Sequence, residues 1–528
     1  MKKLIALTGS FNPVTVAHYE ILSDAVKKFD ADEGIFIATN DAYLTSKTLL
    51  KNKIKSNFIL PETLRSEMLR SLAKDNPKLS YWGTELGGES PNTYKTLLKL
   101  IKDKKKQYPD EELKFYFLFG ADKLRQMPRW QNAEEMIGLF EYLVYARHFD
   151  LDAVIEGDPF LTAHRDRIHL LEVENEDLED VSSTEVRRRF FAGEDYRELM
   201  NEGPYNLMQT LSPEDFPPVT DEDIIKAHIR YGGRFGGNAA RIEVYKSNCK
   251  LFRAWPSYLG DLDEHRAATF YDSPFTVSAP ELTTETVTGC VNADCADVAK
   301  ALLDEGLNPA ILNLASRTSP GGGYHKGTGA QEECLAQMST LTQSLYQFGS
   351  PKYKHIKESG VPIATGAAYP LDLNFGGIYS PCVTFFRHGI DEFYSWRKET
   401  FDCPIVTVAS LSNREKNDYT NDERIYFKDD GYLTDEGREI EANKIRTVFR
   451  IALAHGHDSM VLGAFGCGVY HLHSSEVAAM FRDIMNEPEF KNRFRKLVFA
   501  IYEGKPSSRR RNPIGREGKF APFYKIFE

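Results

Sequence analysis

Near the amino terminus, residues 4–18 read Leu-Ile-Ala-Leu-Thr-Gly-Ser-Phe-Asn-Pro-Val-Thr-Val-Ala-His. An apolar run ends in a turn of glycine and small residues, and a helical pattern then covers His18–Phe29. Small residues let backbone N–H groups approach a phosphate, and the amino end of the following helix adds positive partial charge at the same point. The stretch predicts a strand, a phosphate-binding turn and a helix.

Two side chains at the start of this helix suit phosphate chemistry. Thr15 and His18 stand three residues apart, so their hydroxyl and imidazole share one face and would both contact the phosphates of a nucleotide. Transfer of a nucleotidyl group needs mainly positioning and charge stabilisation, with no covalent intermediate. The alternative is that the turn is only a structural loop.

Two later segments extend this pattern. A predicted strand, Phe115–Phe119, is followed by Gly120-Ala121-Asp122 and by Trp130, at the strand edge where parallel sheets bind ligands. Residues 181–187 read Val-Ser-Ser-Thr-Glu-Val-Arg, with three hydroxyls at a predicted helix start and Arg187 one turn along. Ser182 and Glu185 also have the spacing of an ordinary capping box.

The order of predicted elements indicates two α/β domains. The first ~200 residues alternate β-rich runs with helical patterns, which is typical of a parallel sheet flanked by helices. Prolines then cluster at positions 204, 213, 217 and 218, so we predict one domain over 1–212, a linker over 213–222 and a second domain over 223–528. In the second we predict helices at Asp297–Glu305 and Ile445–His455, and strands at Pro309–Ala315 and Met460–Ala464.

Composition excludes several classes. Hydrophobic residues make up 41% and charged residues 27%, and no apolar run reaches the ~18 residues of a membrane span. A net charge of −11 would repel nucleic acid, and Arg509–Arg511 is more typical of a solvated tail than of a basic patch. The seven cysteines include no CxxC pair, so we predict reduced thiols and no metal site. The first apolar run is too short for a signal peptide, which favours an intracellular, cytoplasmic protein.

A second chemical constellation follows the strand at Pro309–Ala315. Residues 316–323 read Ser-Arg-Thr-Ser-Pro-Gly-Gly-Gly, and Gln331-Glu332-Glu333 comes after seven more residues. Three glycines leave no side chains to obstruct a bulky anion. Of two adjacent carboxylates, one would hold a ribose hydroxyl and the other, kept protonated, would donate to the leaving oxygen of a glycosidic bond. The alternative is a glutamate pair that only opens a solvated helix.

Another glycine-rich loop, residues 463–470, reads Gly-Ala-Phe-Gly-Cys-Gly-Val-Tyr. Its backbone amides would cradle a diphosphate. Cys467 suggests a nucleophile, but it has no evident histidine and aspartate partners, so small-residue packing is the favoured interpretation.

The segments of the first half together resemble the nicotinamide or nicotinate mononucleotide adenylyltransferases, over about residues 1–210. The first motif alone is shared with phosphopantetheine adenylyltransferase, whereas Gly-Ala-Asp with Trp130 favours a pyridine nucleotide. The resemblance implies a Rossmann-like nucleotidyltransferase domain that uses Mg²⁺ with ATP. It assigns His18 and Thr15 to catalysis. It assigns ATP binding to Gly9, Ser10, Phe11, Thr15, His18, Ser182, Ser183, Thr184 and Arg187, and mononucleotide binding to Thr93, Thr96, Gly120, Asp122 and Trp130.

The two glycine-rich loops together resemble the microbial-type poly(ADP-ribose) glycohydrolases, over about residues 220–528. The resemblance implies a macrodomain-like α/β/α domain, with Glu333 as the catalytic acid and Glu332 holding the distal ribose. Ser319 stands where relatives often have asparagine, and both glutamates are retained. The resemblance assigns ADP-ribose binding to Gly321, Gly322, Gly323, Gln331, Gly463, Gly466, Cys467, Gly468, Val469 and Tyr470.

These patterns predict a bifunctional enzyme of NAD and ADP-ribose metabolism. Expected partners are ATP, nicotinamide or nicotinate mononucleotide (NMN or NaMN), NAD, and ADP-ribose or its polymer, with ADP-ribosylated proteins as further candidates. We expect neither a membrane nor a nucleic-acid partner. In one alternative the macrodomain only binds ADP-ribose and regulates the adenylyltransferase; in another, the first domain senses nucleotide without turnover.

Overall fold

The structure is a computed structural model that describes residues 1–51, 57–83, 93–130, 132–146, 150–172, 181–233, 236–414, 423–503 and 518–528. It divides into two units, Met1–Asp223 and Ile224–Glu528. Each hydrophobic cluster of the described residues draws its members from one unit. Arg509–Arg511 lies outside the described residues. No helix of the described chain is long and apolar enough to cross a membrane.

The first unit is built on a parallel six-stranded sheet in the order β3-β2-β1-β4-β5-β6. Along β1, Leu4 and Ala6 pack into one core cluster, and Ile5 and Leu7 pack into another, so the strand is buried on both faces. The strands are β1 Lys2–Gly9, β2 Glu33–Ala38, β3 Leu79–Tyr81, β4 Leu113–Gly120, β5 Glu141–Ala146 and β6 Ile168–Glu172.

Helices cover both faces of this sheet, which confirms the predicted Rossmann-like α/β class. The helices are α1 Val16–Lys28, α2 Asp41–Thr45, α3 Glu62–Asp75, α4 Thr93–Gln107, α5 Ala121–Leu124, α6 Ala133–Leu139, α7 Leu151–Glu156, α8 Pro159–Ala163, α9 Ser183–Ala192 and α10 Glu202–Met208.

The segment that we predicted as a linker, 213–222, packs partly on the first unit. Phe216 stacks on Phe58 with ring centroids 4.4 Å apart, and the Pro217 carbonyl accepts a hydrogen bond from Asn57. The next helix, α11 Asp221–Tyr231, begins inside this segment and runs across the division between the units.

The second unit is built on a seven-stranded mixed sheet in the order β7-β10-β13-β9-β14-β15-β8. Strands β13, β9, β14, β15 and β8 are parallel, and β10 pairs antiparallel with β13 and β7. A separate antiparallel pair joins β11 and β12. The strands are β7 Thr269–Tyr271, β8 Val287–Val291, β9 Pro309–Leu314, β10 Gly377–Ser380, β11 Thr384–Arg387, β12 Trp396–Asp402, β13 Ile405–Val408, β14 Ser459–Leu462 and β15 Lys496–Ala500.

Two helical layers enclose this sheet, which confirms the predicted α/β/α arrangement. Along β9, Leu312 packs toward one layer and Ile311 toward the other. Helix α18 begins ten residues before the predicted start because Thr434 caps it, its hydroxyl accepting the Gly437 N–H. The helices are α12 Gly236–Ala254, α13 Leu262–Arg266, α14 Cys295–Asp304, α15 Gln331–Met338, α16 Leu341–Leu345, α17 Lys354–Ser359, α18 Asp435–Ala454, α19 Ser474–Met485 and α20 Phe520–Phe527.

Candidate active sites

The first candidate site is a cavity of about 1220 Å³ at the carboxyl ends of β1 and β4. The chain turns from β1 to β2 on one side and continues from β4 to β5 on the other, so the loops diverge and leave a crevice between them. Of the residues predicted from the sequence, those that line the cavity are Gly9, Ser10, Phe11, His18, Gly120, Asp122, Ser182, Ser183, Thr184 and Arg187.

Thr15 fixes the orientation of the His18 ring. Thr15 lies just before α1, and its backbone N–H donates to His18 Nδ1 at 3.1 Å, while its hydroxyl oxygen lies 2.7 Å from the same nitrogen. A backbone N–H is only a donor, so Nδ1 acts as the acceptor and the neutral ring carries its proton on Nε2. Thr15 is buried, and both of its contacts are to the Nδ1 side of the ring.

His18 is held in its neutral form. Burial and, to a smaller extent, the positive charge of Lys47 together lower its pKa to about 4. Because the ring is uncharged at neutral pH, it offers an oriented N–H donor rather than a cation. Such a donor suits charge that develops on a phosphate oxygen during transfer.

The start of α9 is attached directly to the phosphate-binding turn. Ser183 Oγ donates to the Pro13 carbonyl at 2.7 Å, and Arg187 donates to the Asn12 carbonyl at 2.6 Å. Ser182 caps the helix by accepting the Glu185 N–H, while the Glu185 carboxylate pairs with Arg188 and Arg189. The amino ends of α1 and α9 therefore border one cavity, where their dipoles favour an anion.

The sequence did not identify Lys47 or Arg65 as part of this site. Lys47 lines the cavity and donates to Ser10 Oγ at 3.2 Å; its pKa is lowered by burial, and then by the charges of Lys123 and Arg187. Arg65 is fully buried and donates to the Ser10 carbonyl at 2.8 Å, which holds the turn in place. Lone basic residues in polar helical segments carry no spacing signal, and only the fold brings them to the turn.

Three residues predicted to bind the mononucleotide lie outside the lining of the cavity. Trp130 packs against Phe119, with ring centroids 5.6 Å apart, at the edge of a core cluster. Thr93 opens α4 and is exposed, whereas Thr96 is buried within the same helix. Of the mononucleotide set, Gly120 and Asp122 border the cavity.

The second candidate site lies where three neighbouring strands end. Strands β13, β9 and β14 are adjacent and parallel, so the segments that follow them, 409–413, 315–323 and 463–470, meet at one edge of the sheet. The third segment is joined to the other two: the Tyr470 carbonyl accepts from the Asn413 N–H, and the Tyr470 hydroxyl donates to the Ala315 carbonyl.

Glu332 is buried beneath the glycine loop. Its carboxylate accepts backbone N–H bonds from Ser316 at 2.7 Å and from Gly321 at 3.0 Å. Burial raises its pKa to about 8, and the charge of Glu333 adds to the rise. Glu332 therefore keeps its proton at neutral pH.

Glu333 faces the same space as Glu332. It accepts backbone N–H bonds from Gly323 at 2.7 Å and from Ala330 at 3.1 Å. A side-chain carbon built on Gly322 would lie 2.5 Å from Glu333 Oε1 and 3.1 Å from Glu332 Oε2. Gly322 therefore leaves open the space between the two carboxylates, and its φ of +54° also favours glycine.

We expect Gly322→Ala to lower the predicted hydrolysis of ADP-ribose linkages by at least about 100-fold, because its methyl group would occupy the space between the carboxylates. The left-handed backbone costs about 1–2 kcal/mol for alanine. Gly360→Ala is the matched control, since Gly360 has φ +75° but open space around it. Melting temperatures should show that the two variants are destabilised to a similar extent. Hydrolysis rates should fall in Gly322→Ala alone. Equal rates in the two variants would contradict the assigned location.

Buried carboxylates also hold the segment 409–413. Glu441, on α18, accepts from Ser410 Oγ at 2.7 Å and from the Leu411 N–H at 2.9 Å, and Glu423 accepts from the Ser412 N–H at 2.9 Å. Burial raises the pKa of Glu441 to about 7, against the opposing charge of Lys444. A side-chain carbon at Gly466 would lie 2.1 Å from Ser410 Oγ, so this segment packs tightly against the second glycine-rich loop.

We expect Glu441→Gln to weaken the predicted binding of ADP-ribose about tenfold, because it replaces charge-assisted hydrogen bonds to the loop by weaker neutral ones. Glu476→Gln is the control: Glu476 is also buried, and it accepts from the Leu433 N–H and from Arg438, neither of which belongs to the three segments. Calorimetric titration with ADP-ribose should separate the two variants. Equal affinity in both would show that Glu441 has no positioning role.

Other predicted residues of this site have structural contacts. Both polar atoms of the Gln331 amide bond to the backbone of β9, at Leu314 N and Leu312 O. Cys467 is fully buried, donates to the Phe465 carbonyl and has a pKa raised to about 12 by burial, so it is a thiol in the core. Val469 is exposed at the edge of the loop. Ser319 contributes its backbone: its N–H donates to Ser316 Oγ at 3.2 Å, and its carbonyl accepts from the Gly322 N–H.

Two family models match the chain. Residues 6–189 match the cytidylyltransferase-like family, and residues 259–388 match the catalytic domain of microbial-type PARG. The first match spans the turn, His18, Lys47 and the start of α9. The second spans the glycine triplet and the glutamate pair. These matches confirm the two predicted resemblances, to nucleotidyltransferases in the first half and to microbial-type poly(ADP-ribose) glycohydrolases in the second.

Individual known proteins are also similar to parts of the chain. A probable nicotinate-nucleotide adenylyltransferase of Fusobacterium nucleatum is 28% identical over 208 residues, covering 39% of this chain and 97% of the relative. A second, from Nocardioides sp., is 28% identical over 217 residues, covering 41% and 96%. The crystal structure of poly(ADP-ribose) glycohydrolase from Thermomonospora curvata aligns with a TM-score of 0.40 at 21% identity, covering 55% of this chain and 99% of that one.

Proposed function

We propose that this fusion of a nucleotidyltransferase and a glycohydrolase transfers an adenylyl group from ATP to nicotinate or nicotinamide mononucleotide, and hydrolyses the glycosidic bonds of ADP-ribose in its polymer or on proteins. One observation carries the proposal: each family match covers residues that converge in the structure on one site, the cationic cavity in the first half and the glutamate pair in the second.

In the first half, the cations would hold the phosphates of ATP. Lys47 and Arg187 border the cavity together with the amino ends of α1 and α9. The mononucleotide phosphate attacks the α-phosphorus of ATP and pyrophosphate leaves. His18, through Nε2–H, stabilises the charge that develops on the phosphate oxygens and does not need to remove a proton.

The donors around this cavity fit a metal ion that arrives with the nucleotide. Within the described ranges no cluster of three or more His, Cys, Asp or Glu side chains could hold a metal ion. Asp122 contributes an exposed carboxylate to the lining, whereas the Glu185 carboxylate is paired with arginines. Mg²⁺, when bound, would neutralise phosphate oxygens of ATP.

In the second half, the two glutamates would have different roles in cleavage of the glycosidic bond. Glu333 donates its proton to the leaving oxygen, while Glu332, fixed by two backbone N–H groups, holds a ribose hydroxyl. The loops 315–323 and 463–470 supply backbone amides for the diphosphate. Water then completes the reaction at the oxocarbenium-like carbon.

The test supplies each half with its substrate. The full chain with NaMN, ATP and Mg²⁺ should form the adenine dinucleotide and pyrophosphate, and NMN in parallel measures the preference for acid or amide. The full chain with poly(ADP-ribose), and with ADP-ribosylated protein, should release ADP-ribose. Tight ADP-ribose binding without release from either substrate would support the non-catalytic alternative. An absence of dinucleotide would refute the first half of the proposal.

A further inference from the structure

The Trp130 ring, which the resemblance assigns to mononucleotide binding, lies outside the lining of the first cavity. It packs edge-on against Phe119 at a centroid distance of 5.6 Å and is tilted against Phe117 at 6.3 Å. The lining instead includes two cations, Lys47 and Arg187, and the three hydroxyls of Ser182–Thr184. The described contacts of the cavity are therefore suited to the phosphates of a dinucleotide.

The positive charges of Lys47 and Arg187 in the cavity, and of Lys123 near it, are close enough to influence one another. Lys123 and Arg187 both lower the pKa of Lys47, in addition to the effect of burial. An anion bound among them would relieve this repulsion and would also meet the amino ends of α1 and α9. The cavity is thus suited to several phosphate groups, and pyrophosphate carries two.

ADP-ribose contains the same reacting bond as an adenine dinucleotide. In both molecules, a phosphoanhydride joins adenosine 5′-phosphate to a ribose 5-phosphate unit. They differ at C1 of that ribose, where ADP-ribose has a hydroxyl group and the dinucleotide has a pyridine base. Groups that act on the α-phosphorus, such as His18 and Lys47, would meet the same atoms in either compound.

We propose that the first site also cleaves ADP-ribose with pyrophosphate, giving ATP and ribose 5-phosphate. A pyrophosphate oxygen attacks the phosphorus of the adenylyl group, and the bond from that phosphorus to the bridging oxygen breaks. The electron pair leaves with ribose 5-phosphate, and nothing is oxidised or reduced. The inference rests on the proposed function, since the second half would supply ADP-ribose and adenylyl transfer would supply pyrophosphate.

One phosphoanhydride is exchanged for another, so the relative concentrations of the four compounds would decide the direction. ADP-ribose lacks the pyridine base and its contacts, which weakens recognition of the substrate but leaves the reacting phosphoanhydride unchanged. Even one missing methylene group can reduce kcat/KM by roughly 10–200-fold. We therefore expect kcat/KM for ADP-ribose to be at least about tenfold lower than for the adenine dinucleotide.

The experiment incubates the full chain with ADP-ribose, pyrophosphate and Mg²⁺ and measures ATP by luciferase and ribose 5-phosphate by mass spectrometry. The adenine dinucleotide with pyrophosphate is run in parallel. Lys47→Ala should lose ATP formation from both substrates. Lys51→Ala is the matched control, because Lys51 lies on the same helical turn but stacks over Tyr43 and does not line the cavity.

The outcomes separate the inference from the proposed function. ATP from the dinucleotide but none from ADP-ribose would overturn the inference and leave adenylyl transfer intact. ATP from neither compound, with no dinucleotide formed in the forward direction, would refute both. ATP from ADP-ribose that persists in Lys47→Ala would place the reaction elsewhere and also overturn the inference.

Discussion

Glu333→Gln is expected to release ADP-ribose from its polymer about 10²–10⁴-fold more slowly than the parent chain, because glutamine cannot donate a proton to the leaving oxygen. The amide still fits the space beside Gly322 and still accepts from the Gly323 N–H. ADP-ribose binding, measured by titration, should therefore change far less than turnover. Unchanged turnover would exclude Glu333 as the acid.

Glu332→Gln is the companion variant. It should weaken binding as well as turnover, because the Glu332 carboxylate accepts from Ser316 and Gly321. The pH dependence follows from the raised pKa of about 8. Ionisation of Glu332 changes the group that holds the ribose hydroxyl and places a charge beside Glu333, so hydrolysis by the parent should decline as the pH rises through about 8.

The contribution of Glu332 to the folding stability of the protein should also decrease as the pH rises. The folded-state pKa of Glu332 lies above its ordinary value of 4.5, so the folded protein binds this proton more tightly than the unfolded chain does. The resulting contribution to stability is present below pH 4.5 and is lost as the pH rises through about 8. The melting temperature of Glu332→Gln, compared with the parent, should rise over this interval.

His18→Ala is expected to reduce kcat for adenylyl transfer by about 10²–10³-fold, since it removes one oriented donor to the developing charge. His164→Ala serves as the control: His164 belongs to the same unit and bonds to the Phe160 carbonyl, outside the cavity lining. Formation of the dinucleotide at saturating substrates measures the effect. Equal rates in the two variants would show that the His18 ring does not contribute to adenylyl transfer.

The pH profile tests the form in which His18 acts. With a pKa lowered to about 4, the ring is neutral throughout the range from pH 6 to 8. Its titration should therefore cause no loss of activity across this range. A rate that declines above pH 6.5, and does so only when His18 is present, would indicate that the ring acts as a cation.

The parts of the fold and the sites that could be predicted from the sequence are continuous in the chain. The strand, turn and helix at the amino terminus form one run of residues, so local propensity and motif agree there. Lys47 and Glu441 were not predicted, because their roles depend on packing between distant segments. Spacing also does not fix the direction of a side chain: Gln331 stands in the expected motif, yet its amide binds β9.

The separation of the hydrophobic clusters between the two units has a thermodynamic consequence. Apolar burial is the main favourable contribution to folding, and here it is assembled twice, from residues of one unit at a time. Scanning calorimetry should therefore resolve more than one endotherm, with a van't Hoff enthalpy below the calorimetric enthalpy. A substitution that loosens one core should shift one endotherm and leave the catalytic rate of the other half unchanged.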